Sequence, residues 1–246
     1  MWWVVLGGLC ALYGGGIFAM KYMKNEWLWN GVFVFFTCLC YGYLVAYFYF
    51  DVGVKDWNFL NTLPVANVSP FMFFFSPFIL FSPKKIRGYL FALVSLLSVG
   101  MALSFIVGCV ANAAVHYKIH FHFIADCMAH ILLSLWGIYL IKTKQTSISK
   151  KNCLIASAVI FGVALTMVGF NLVFDTAFFG LSLKGKHNIY NNVLVENSYL
   201  SACVYFFGLG AVLFLGFALQ KILLVKLWNK KWKEEGKKED FSLPLN

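Results

Sequence analysis

The sequence predicts an all-α fold: a polytopic membrane bundle of about seven transmembrane helices, N-terminus outside and C-terminus cytoplasmic. Three observations predict it. Of 246 residues, 61% are hydrophobic and only 12% charged, against about 25% charged in an ordinary soluble domain. Such a chain has too little polar surface to cover a water-facing globule. Seven apolar runs, near 2–20, 27–50, 59–82, 89–115, 121–141, 153–174 and 199–223, approach or exceed the roughly 20 residues that cross about 30 Å of hydrocarbon. The basic residues sort onto alternate connecting segments.

Each run is a helix because lipid offers no partner to an unpaired backbone amide. The first carries Gly7, Ala11 and Gly15 at a spacing of four. That stripe reads either as a close-packing face or as ordinary glycine tolerance in a membrane helix. The second holds Cys38 and Cys40, whose side chains point about 200° apart on a helix. Seven scattered cysteines with no C-x-x-C pair read as small apolar core residues. The third run contains Pro64, Pro70 and Pro77, so it must bend or break, as helices lining membrane cavities do. The fourth shows Gly100, Ser104, Gly108, Asn112 and His116 at a strict spacing of four, a small-to-polar stripe.

The fifth run concentrates the chemistry. His122, Asp126 and His130 share one helix face, drifting about 40° per step. Ionisable groups inside a span are costly and raise functional suspicion. Three readings stay open for this face: a hydrogen-bonded seam between helices, an acid–base site, or a metal site. No second His/Asp pair at that spacing occurs on another run, so no metal ligand is assigned and no cofactor is expected. The sixth run ends in Asn171 and Asp175. The stretch 171–198, with His187, reads as a re-entrant or interfacial lid. The seventh leads into a tail in which lysines alternate with Trp228 and Trp232, a snorkelling helix end followed by a segment suited to anionic lipid.

The domain reading is a bundle over 1–225 and a basic cytoplasmic tail over 226–246. Sixteen of the twenty basic residues fall on segments that share the tail's side, and four, Lys55, Lys118, Lys184 and Lys186, on the other. The positive-inside rule then sets the orientation and favours an odd number of spans. The net charge of +10 is explained by topology and lipid rather than nucleic acid, for which no motif is present. Lys21 follows the first apolar run instead of preceding it, so no cleavable signal peptide is expected. The expected location is the cell membrane.

The remaining polar residues suggest one chamber open to the outside. Asn67 and Ser69 in the third run, Asn112 and His116 ending the fourth, His122, Asp126 and His130 in the fifth, and Asn171 and Asp175 ending the sixth sit in the outer half. Spans three to six are its expected walls.

Two stretches carry a family resemblance. One runs from Trp57-Asn58-Phe59-Leu60-Asn61-Thr62-Leu63-Pro64 through Asn67-Val68-Ser69-Pro70. The other runs from His116-Tyr117-Lys118-Ile119-His120-Phe121-His122-Phe123 through Ala129-His130-Ile131 to Tyr139-Leu140-Ile141. Together they resemble the YwaF-like integral membrane proteins over roughly 57–141, with His130 matching a buried family histidine. A eukaryotic branch of that group comprises phospholipid acyltransferases with a cysteine nucleophile in the third span. Positions 65 to 68 here read Val-Ala-Asn-Val, without that cysteine. The resemblance implies an enzyme acting on a lipid or lipid-linked substrate, with His130 as base or orienter, Asp126 beside it, and Ser69 or a substrate hydroxyl replacing the thiol. The competing class is a transporter or binding protein for a small polar solute or metal ion, using the same chamber. A third is a non-catalytic assembly factor.

Overall fold

The computed structural model describes residues 2–53, 62–64, 67–115, 120–147, 149–174 and 198–225. They form seven α-helices and, among the described residues, no strand: α1 (Trp2–Ala19), α2 (Glu26–Tyr47), α3 (Val68–Phe81), α4 (Lys84–Val115), α5 (Phe121–Lys142), α6 (Lys150–Phe174) and α7 (Ser198–Leu219). Six of the helical segments are long and apolar enough to cross a membrane. The exception is α3, with 14 residues, about 21 Å at 1.5 Å per residue. The expected 24-residue third run is therefore interrupted. Leu63 and Pro64 lie outside any helix, and α3 begins only after them. Pro70 is tolerated in the first turn, where an N–H would have no helical partner, while Pro77 sits inside the helix. The tail 226–246 and the expected lid over 175–197 lie outside the described residues.

Helix ends follow from local chemistry. Asn25 caps α2, its Oδ1 accepting from Leu28 N at 3.1 Å, with Glu26 in the first turn complementing the dipole. Ser82-Pro83 separates α3 from α4, and the Arg87 guanidinium donates twice to the Ser82 carbonyl, at 2.9 and 2.7 Å.

Helix α5 is the centre: 72% of its apolar window is buried, against 11% for α1. It packs on α4 and α2, and more lightly on α1. Helices α6 and α7 pack on α4, and α3 packs chiefly on α2. Close approach replaces hydrophobic driving force here, as expected between helices in lipid. A Cβ at Gly137 of α5 would stand 2.6 Å from Ser98 Cβ and 2.8 Å from the Val94 carbonyl oxygen, so the α4 and α5 backbones touch. Gly216 of α7 is pressed in the same way onto the Leu96 backbone of α4.

Polar pairs lock these crossings. Ser134 Oγ donates to the Ser98 carbonyl at 2.7 Å. Its one proton being spent there, Tyr13 Oη of α1 is the donor in the 2.8 Å bond to Ser134 Oγ. Ser98 Oγ donates to Ser95 O at 2.6 Å, so Gln220 Nε2, just past α7, is the donor to Ser98 Oγ at 2.8 Å, and it also bonds Ser95 O. Ser95 Oγ donates to the Gly137 carbonyl at 3.0 Å. Four helices thus meet at one buried hydroxyl seam.

Candidate functional site

Two separate places hold the polar residues. The first is the face of α5. His130 is buried, and its Nδ1 lies 2.9 Å from the Asp126 carbonyl oxygen and 3.4 Å from Asp126 Oδ1. A carbonyl can only accept, so Nδ1 carries the proton and Nε2 is the acceptor of the neutral ring. The i, i+4 spacing on one helix brings the two side chains together. The ring stands edge-on to Phe73 of α3, centroids 5.0 Å apart. The Asp126 side chain is 47% exposed and that of His130 10%, so carboxylate and ring occupy different surroundings.

His122 does not join them through a hydrogen bond or ion pair. It stacks on Tyr47 of α2 at 4.6 Å and on His120 at 5.3 Å, with Phe48 tilted against it. The shared face expected from spacing therefore splits: its C-terminal half is a His–Asp pair, its N-terminal half an aromatic column. Among the described residues no group of three or more His, Cys, Asp or Glu side chains could hold a metal ion.

The second place is a cavity of about 360 Å³ between α3, α4 and α7, within the usual ~300–1,000 Å³ of small-molecule sites. Asn67 and Ser69 enter it from the start of α3, Gly100 and Ser104 from α4, and Tyr205 and Gly208 from α7. Asn67 is placed there by capping α3, its Oδ1 accepting from Val68 N at 2.8 Å. The third wall is α7, where the sequence suggested spans five and six. On α5 the side facing α4 is already closed by the Gly137 and Ser134 contacts, whereas a Cβ on Gly208 would meet nothing within 4 Å.

Of the described candidates, then, Asn67 and Ser69 line the cavity and His130, Asp126 and His122 do not. Asn171 is buried on α6. Asn112 lies in the last turns of α4 with its side chain outside the described residues, and His116, Asp175 and His187 lie outside them altogether. Sequence reasoning missed the α7 wall and the serine seam. Gly208 carries no polar signal. Ser95, Ser98 and Ser134 read as ordinary small residues, although Ser95, Ser98 and Gly137 are the positions where two backbones could meet. A further junction was also missed. Asn30 of α2 accepts from Trp136 Nε1 at 3.0 Å and donates to Gln145 Oε1 at 2.6 Å.

No family model matches this sequence, no curated protein matches it, and no solved structure matches it.

Proposed function

We propose that the protein is a seven-span protein of the cell membrane, N-terminus outside and C-terminus cytoplasmic, that binds an amphipathic lipid in the cavity between α3, α4 and α7. The observation that carries this reading is the make-up of that cavity. Hydrogen-bonding side chains, Asn67, Ser69 and Ser104, share it with Leu97, Met101 and Val212. A small polar solute or an ion would leave those apolar groups without a role. The sixteen-to-four division of basic residues supports the orientation, and the apolar α3 belongs to the run counted as the seventh crossing. The basic tail fits contact with anionic lipid on the cytoplasmic face.

Native mass spectrometry of the detergent-purified full chain tests the reading. Wild type should carry a co-purified lipid that Gly208→Leu, which fills the cavity from an open position, loses. Lipid absent from wild type, or retained equally by both, overturns it.

A second reading is acyl transfer on that lipid. Ser69 lining the cavity and the resemblance of 57–141 to YwaF-like proteins favour it. It requires Ser69 and the His130 Nε2 to act on one substrate. His130 is not among the lining residues, which favours binding over catalysis. Turnover by purified protein that disappears in both Ser69→Ala and His130→Gln would reverse that preference, while flux in proteoliposomes without turnover would make the protein a carrier.

A further inference from the structure

Two of the seven cysteines meet. Sγ of Cys109 on α4 and Sγ of Cys127 on α5 lie 3.6 Å apart, and the residues are 2% and 1% exposed. The others have different surroundings: Cys38 turns to Ser76 Oγ and the Phe73 carbonyl of α3, and Cys10 and Cys203 are exposed. The pair is 18 positions apart in the chain, so no short motif announces it.

The contact follows from the crossing of α4 and α5. These two helices are pinned where Gly137 meets Ser98 and where Ser134 donates to the Ser98 carbonyl. Cys109 lies about three turns along α4 from that point, and Cys127 about two turns along α5. The helices stay close there, since a Cβ at Gly108 would stand 4.0 Å from the Phe123 ring.

A buried cysteine facing an apolar neighbour is a small filler. Two facing each other have a reaction open to them. A disulfide holds its sulfurs about 2.05 Å apart, so the pair must close by roughly 1.5 Å. Side-chain rotation and a small shift of the helix ends supply that. Val115 ends α4 and Phe121 begins α5, each about 9 Å of helix from its cysteine. Asp126, next to Cys127 in the chain, has a 47% exposed side chain, so the pair lies directly beneath an accessible position.

We propose that Cys109 and Cys127 form a redox site, a dithiol that closes into a disulfide and staples α4 to α5. Two S–H bonds break and one S–S bond forms, and two electrons and two protons leave with the oxidant. Burial keeps bulky disulfides and enzymes away from the packed pair, so the oxidant is small and apolar. Dioxygen is of that class, and it carries off the electrons and protons as hydrogen peroxide. In the orientation proposed above the pair lies toward the outer ends of both helices, the side on which disulfides persist.

The full chain with Cys10, Cys38, Cys40, Cys153 and Cys203 replaced by alanine isolates the pair. It is reconstituted in liposomes, oxidised by air with copper phenanthroline, then unfolded in detergent for thiol counting with a maleimide. No free thiol should remain, the chain should stay monomeric, and dithiothreitol added after unfolding should restore both thiols. The closed form should melt about 5 °C or more above the reduced form. Two thiols surviving oxidation, a bond found only between chains, or equal melting temperatures of the closed and reduced forms overturns the proposal. Should the five-alanine variant fail to fold, wild type oxidised in the same way and digested should yield a peptide linking positions 109 and 127, and its absence from the mass spectrum overturns the proposal.

Discussion

The indole Nε1 of Trp136 donates to Oδ1 of Asn30 across 3.0 Å, joining the middle of α5 to the start of α2. An indole N–H can only donate, so this one bond orients everything after it. Asn30 must turn its NH2 toward Gln145 Oε1, and Gln145 in turn donates to Thr143 Oγ1 at 2.8 Å. Asn30→Ala should leave the buried Trp136 donor unsatisfied and remove the partner of the part-buried Gln145 acceptor. The expected cost is about 1–3 kcal/mol, read as a lower midpoint in thermal or denaturant unfolding of the detergent-solubilised protein. The double variant with Trp136→Phe should be less destabilised than the sum of the two singles. Strict additivity would contradict the chain of bonds.

Gly137 and Gly15 are both helical glycines, yet they should respond oppositely to a larger side chain. A Cβ at Gly137 collides with Ser98 and the Val94 carbonyl, whereas one at Gly15 meets nothing within 4 Å. Gly137→Leu should cost about 1–3 kcal/mol or more by forcing α4 and α5 apart. Gly15→Leu should stay within about 0.5 kcal/mol of wild type. Equal melting temperatures for the two variants would contradict the close crossing of α4 and α5.

These two glycines also mark what could be read from the sequence. The all-helical, apolar character and the order of the six membrane-length helices were legible, because apolar length in lipid admits only one backbone solution. Helix α2 was expected over 27–50 and runs Glu26–Tyr47, α5 over 121–141 and runs Phe121–Lys142. The third run was legible as broken from its prolines, and among the described residues Leu63 and Pro64 lie outside any helix. Which face of each helix meets which neighbour was not legible. Lipid-facing and core-facing side chains are both apolar, so periodicity carries no inside–outside contrast. Gly15 and Gly137 look alike in sequence and differ only in what stands opposite. The same blindness hid Gly208, while Asn67 and Ser69 were found because they are polar. The His130–Asp126 pair was legible because it is local to one helix. The exclusion of His122 from it depended on Tyr47, about seventy-five positions earlier in the sequence.

For His130, the ring packed edge-on against Phe73 and the Nδ1 bond to the Asp126 carbonyl predict different outcomes for different replacements. His130→Ala should cost about 3 kcal/mol through lost packing. His130→Asn, whose amide nitrogen falls near the former Nδ1, should retain part of that loss. Asp126→Asn should cost under about 1 kcal/mol, because the carboxylate is half-exposed and 3.4 Å away. Melting temperatures of the three variants, measured beside lipid binding, check this. Loss of binding in His130→Asn without loss of stability would bring the ring into the ligand site.

Single cysteines at positions 185 and 240, in a background lacking the seven native ones, should label from opposite sides of right-side-out vesicles. Position 185 should react with an impermeant maleimide and position 240 only after permeabilisation. Reaction of both from outside would dismiss the seven-span orientation.

The bond between Tyr13 and Ser134 spans 121 residues of chain, and the Leu135 side chain that meets Gly16 lies just beyond. At ribosomal speeds of about 5–20 residues per second, α1 is complete about 6–23 s before its partner on α5 has been made. Over that interval it has only lipid and its immediate neighbours for company. A helix made this long before its partner must be stable in the bilayer without it. Its sequence between Trp2 and Ala19 carries no charge, and the tyrosine that later finds Ser134 is its single hydroxyl-bearing side chain. The order of synthesis thus constrains the composition of α1 at least as tightly as its final packing does, and a charge introduced there would harm insertion before any folded contact existed to be lost.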